Sequence, residues 1–69
     1  MMRYAVVIEK GASSYGAYVP DLPGCVAVGE TLSEVRELIR EAVVLHLELL
    51  AEEGESIPEP LSLCEYIEA

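Results

Sequence analysis

The acids placed where a strand or a tight loop would hold them are Glu9 and Asp21. A converging pair of carboxylates can hold Mg²⁺ for phosphodiester chemistry. Nothing in the sequence makes these two converge, and the other acids fall mainly on the solvent side of a helical pattern. His46 sits at i+4 from Ala42 on the apolar face of that helix and reads as a half-buried core histidine. Cys25 and Cys64 lack metal-ligand spacing, are too few for a disulfide scaffold, and read as small buried hydrophobes. Gly11, Gly16 and Gly29 lack the surroundings of a phosphate-binding loop. No catalytic residue, metal site or cofactor is therefore expected.

The elements around these residues are short and tightly joined. Tyr15–Val19 and Cys25–Gly29 read as strands flanking Pro20-Asp21-Leu22-Pro23-Gly24. Pro20 has no N–H for a ladder and closes the first of them. Pro23 presets a turn and Gly24 permits positive φ, so the loop is built to hold one shape. Before it, Arg3–Lys10 reads as a first strand. Its centre, Tyr4–Ile8, is apolar on both alternating faces, which predicts an interior position. Gly11-Ala12-Ser13-Ser14 is a turn of hairpin length.

Thr31 and Glu34 form a T-x-x-E helix start. From Leu32 the apolar residues Val35, Leu38, Ile39, Ala42, Val43, Leu49 and Leu50 recur at helical spacing. Gly54 suits the residue after the helix, which should span about 32–53. Glu55–Pro60 reads as an extended linker and Leu61–Ile67 as a last strand. The expected fold is α+β, in the order β-β-β-α-β, as a single domain over residues 1–69. A right-handed crossover predicts a four-stranded mixed sheet in the order 3-2-1-4 with one long helix on one face.

The chain has 69 residues, of which 52% are hydrophobic, with no Phe or Trp. So small a chain has a marginal core of its own, and this much aliphatic surface predicts a homodimer or higher oligomer. The formal charge is −9, from 13 acids against 4 bases. That disfavours nucleic acid as a direct partner and favours a basic protein. No apolar run is long enough for a membrane span, and a cytoplasmic location is the expectation from the cysteine usage.

The chain resembles the HicB-like antitoxin domains of HicA–HicB toxin–antitoxin pairs. The likeness is carried by Val7-Ile8-Glu9, by Tyr15 to Cys25 with its P-D-L-P-G-C run, by Gly29-Glu30-Thr31, and by Gly54 to Pro60. It implies a truncated ribonuclease H-like fold. Only Glu9 lies near the first-strand acid of those enzymes, so it implies the scaffold without the activity. The implied role is to bind and neutralise a small basic mRNA-cleaving toxin of the HicA type. Many members carry a second, DNA-binding domain for which these residues leave no room, so operator binding is not expected. The partner contact is expected at Tyr15, Tyr18, Asp21, Leu22 and Pro23, where tyrosines offer apolar area and the loop is ordered before binding. The alternatives are an orphan oligomeric binding domain and a residual metal-dependent nuclease using Glu9 and Asp21.

Overall fold

The computed structural model describes residues 2–69. Three short strands, β1 (Val7–Lys10), β2 (Tyr15–Tyr18) and β3 (Val26–Gly29), precede one helix, α1 (Leu32–Glu52). The strands form an antiparallel meander in the order β1-β2-β3. Val7 pairs with Tyr18 and Tyr18 with Val26, while Ile8 pairs with Ala17 and Ala17 with Ala27. Because side chains alternate, the second row and its neighbours two residues away face the helix. Ala17, Val19, Leu22 and Cys25 there meet Val35 and Ile39 of α1, and all six are buried. Tyr4, Val6, Ile8, Tyr15 and Ala27 pack around them.

The helix starts where its sequence says it should. Thr31 Oγ1 accepts a hydrogen bond from the Glu34 N–H at 3.0 Å. Glu34 Oε1 accepts from the Glu30 N–H at 3.2 Å, one residue earlier than a capping box would place it. At the far end the Glu55 N–H donates to the Leu50 carbonyl and the Gly54 N–H to Ala51, with Gly54 at φ 71°. That double closure satisfies carbonyls the helix leaves open.

Two expectations are corrected. The sheet has three strands in the order 1-2-3 and not four in the order 3-2-1-4. β1 is thus an edge strand, and it begins at Val7, not Arg3. Leu61–Ile67 forms no ladder, because Ser62 spends its N–H on the Asp21 carboxylate instead of a neighbouring strand. Tyr4 Oη also holds the Pro58 carbonyl. The tail so anchored stands off from residues 3–6 across an open cleft of about 500 Å³. Leu61, Leu63 and Ile67 remain 79%, 88% and 85% exposed, so the apolar residues of the expected strand gain no burial. The sheet face opposite α1 is bare, as one helix can cover only one side; Tyr18, Val26 and Val28 are exposed on it.

Candidate functional site

The loop between β2 and β3 is two successive turns. The Leu22 N–H donates to the Val19 carbonyl and the Cys25 N–H to the Leu22 carbonyl, both at 3.0 Å. Each turn has a proline, Pro20 or Pro23, at its second position, where a fixed φ costs nothing. Gly24 takes φ 84° at the third position of the second turn, a conformation that favours glycine. Leu22 lies at the junction, and its side chain drops into the core with no exposed surface.

The residues expected to form one contact are therefore divided. Tyr15 is half-buried on the helix side of the sheet, packed on the core. Tyr18, three residues on, points to the bare face and is 40% exposed. Pro23 is exposed. Leu22 offers a partner no surface at all, and its part is to hold the loop from beneath. The sequence made it look like a loop-tip residue because two turns fold back on themselves in only a few residues.

Asp21 has a partner that no local pattern points to, Ser62 of the tail. Its Oδ2 accepts from the Ser62 N–H and its Oδ1 from the Ser62 hydroxyl, each at 2.9 Å. This two-pronged clasp joins the loop to the tail across 41 residues of chain. The Ser62 backbone N–H is the main reason the Asp21 carboxyl is held below its ordinary value, with the Ser62 hydroxyl and the Leu61 backbone outweighing partial desolvation. The clasp needs the ionised carboxylate. It is therefore fully present above the ordinary carboxylate pKa and lost as pH falls through the lowered folded value. In an acid titration followed by NMR, the Ser62 amide shift should move with a midpoint below 3.8, the ordinary value. A midpoint at or above it would show that the clasp is not formed in solution.

Asp21 is thus committed to Ser62, while Glu9 lies exposed on the bare face beside Gly16 of β2. Among the described residues no group of three or more His, Cys, Asp or Glu could hold a metal ion. Cys25 and Cys64 are free thiols, one buried and one exposed. Burial pushes the Cys25 thiol up, which keeps it inert. His46 is half-buried in a shallow groove with Cys25, Val26 and Leu49. No helix of the described residues is long and apolar enough to cross a membrane.

What these features define is an acidic sheet-and-helix domain with a preshaped loop and a clasped tail. Residues 4–69 match the model of the HicB-like antitoxins of bacterial toxin–antitoxin systems. The chain belongs to that family. It is 39% identical over 66 residues to an uncharacterized 14.9 kDa protein from the rep-hol intergenic region of Haemophilus phage HP1, covering 96% of this chain and 50% of that protein. It is 42% identical to a UPF0150 protein of Archaeoglobus fulgidus, over 81% of this chain and 86% of the relative. Among solved structures it superimposes on a chain of the HicA3 and HicB3 toxin–antitoxin complex with a TM-score of 0.72 and 33% identity. That match covers 83% of this chain and 66% of the other. The chain thus spans half the length of its phage relative and about two-thirds of the chain in the complex.

Proposed function

We propose that this domain is the antitoxin partner of a small basic HicA-type ribonuclease, which it binds and neutralises in the cytoplasm. The observation that carries the reading is the structural likeness, at 33% identity, to a chain of a toxin–antitoxin complex. The charge of −9 supports it, since a basic toxin would be drawn to this surface by long-range attraction. The role is binding and not catalysis: the net charge repels phosphates, and Asp21 is held by Ser62. The purified domain should leave RNA and RNA–DNA hybrids intact with Mg²⁺ or Mn²⁺. Turnover that vanishes in Glu9→Gln would overturn that.

The contact we assign comprises Tyr18, Pro23 and the outer edge of Asp21, with Leu22 supporting the loop from within and Tyr15, on the opposite face of the sheet, left out of it. The loop's shape is set before binding, which cuts the ordering cost. The domain also self-associates, because a small core leaves large apolar side chains at the surface. The test is a pull-down with the product of an adjacent basic reading frame at low and high salt. Binding should be weaker at high salt. Tyr18→Ala should weaken it by about tenfold, the loss of more than about 1 kcal/mol typical of an interface anchor. Binding that Tyr18→Ala leaves unchanged would put the contact elsewhere.

A further inference from the structure

Gly16 stands inside the central strand for no reason that the fold supplies. Gly24 and Gly54 take positive φ, and Gly16 does not. Its pairing runs unbroken from Glu9 on one side to Val28 on the other, so it marks no bulge. A Cβ there would meet nothing within 4 Å, so packing does not require its absence either. Glycine nonetheless weakens a strand, because it loses more freedom on folding and packs no side chain. A strand glycine that serves neither a bulge nor a bend marks a place where another molecule comes close to the backbone.

The register says what surrounds that place. Gly16 alternates with the buried Ala17 and so faces the bare side of the sheet. Glu9 and Val28 lie across from it on β1 and β3, with Cα atoms about 4.5–5.5 Å away. Tyr18 is the next residue of β2 on the same side, about 7 Å along the strand, and Val26 is its partner on β3. The opening above Gly16 therefore has a carboxylate on one side, two valines on the other and a phenol ring at its end. Val26 and Val28 are 62% and 67% exposed, Tyr18 is partly exposed, and Glu9 is open to solvent.

These neighbours select the visitor. Glu9 is the one charged residue that the three strands place on this face. A second copy of the chain would set Glu9 against its own like charge, on molecules of charge −9 each. A basic side chain meets a carboxylate instead. Arginine suits the opening better than lysine, because its head is flat. The plane can lie against backbone where no Cβ intrudes, donate two parallel N–H groups to Glu9, and stack on the Tyr18 ring within about 6 Å of its centre. Its aliphatic stem then covers the two valines.

We infer that the opening above Gly16, between Glu9, Tyr18 and Val28, receives an arginine side chain of the basic partner. Gly16 is then kept for access, at the expense of strand stability. The inference rests on the antitoxin reading proposed above and gives its contact a recognition chemistry. Tyr18 is common to both, while Glu9, Gly16 and Val28 are added.

The experiment is calorimetric titration of the basic protein encoded next to this chain into the parent, Gly16→Ala and Glu9→Gln. Gly16→Ala should unfold in urea at or above the parent's midpoint, yet bind at least about tenfold more weakly. Glu9→Gln should also bind more weakly, with a shallower dependence on salt. The partner's arginines are then changed to lysine one at a time. One of these changes should weaken binding to the parent and add little to the loss already caused by Gly16→Ala, as coupled contacts do. A parent that binds no basic protein would overturn the antitoxin reading, and this inference with it. Parent-like binding by Gly16→Ala or by Glu9→Gln would refute this site and leave that reading intact. A loss in Gly16→Ala that couples to no arginine would replace the side chain with partner backbone and overturn the arginine. Gly16→Ala that changes the sedimentation of the chain alone, and not its binding, would give the face to a second copy and refute the inference.

Discussion

Leu22→Ala should lower stability by about 2–5 kcal/mol, the range for truncating a fully buried leucine. A domain of 69 residues holds roughly 3–10 kcal/mol in total at typical values per residue. The variant should therefore melt at least about 10 °C lower, and at the upper end of the range it should not fold. The reason is positional. Leu22 has no exposed surface and ties both turns of the β2–β3 loop to Val35 and Ile39. Leu63→Ala is the comparison. Leu63 is 88% exposed, and its truncation should change stability by no more than about 0.5 kcal/mol. Thermal denaturation followed by circular dichroism reads both. Equal effects of the two substitutions would mean that the loop does not close over the core.

Gly29→Ala should be the next most damaging change. A Cβ at Gly29 would lie 2.8 Å from the Val35 nitrogen and 3.1 Å from its Cα. These are backbone atoms in the first turn of α1, and they cannot swing aside as the end of a side chain can. The helix must lift from β3, loosening Val35, itself fully buried, at a cost of about 1–3 kcal/mol. Gly16 offers the contrast. A Cβ there would meet nothing within 4 Å, so Gly16→Ala should be neutral or slightly stabilising. Urea unfolding of the pair measures the difference. If Gly29→Ala unfolds at the parent's midpoint, α1 does not pack against β3 as closely as described.

These two positions also mark what a sequence can and cannot disclose here. The meander and the helix were legible because they depend on neighbours in the chain. Pro20, Pro23 and Gly24 specify the turns directly, and Thr31 with Glu34 marks the helix start. That Gly29 needs to be glycine while Gly16 does not depends on where α1 lies. No local pattern carries that. The missing fourth strand has the same origin. Leu61–Ile67 is composed as a short strand, but a strand needs an edge, and the Asp21–Ser62 clasp holds the tail away from the nearest one. A contact between residues so distant in the chain leaves no periodic trace in either segment.

The expected contact residues failed to form one patch for a related reason. Alternation does predict that Tyr15 and Tyr18 face opposite sides of the sheet, and they do. What alternation cannot predict is that Leu22 turns inward between two bonds that close on Val19 and Cys25.

The antitoxin role proposed above requires this domain to silence a ribonuclease by binding it. The most direct measurement is RNA cleavage by the basic protein encoded next to it, titrated with this chain. Cleavage should fall steadily and end near equimolar addition, and Tyr18→Ala should shift the end point to a clear excess. Cleavage that continues undiminished with this chain in large excess, at low salt where attraction is strongest, would contradict the claim.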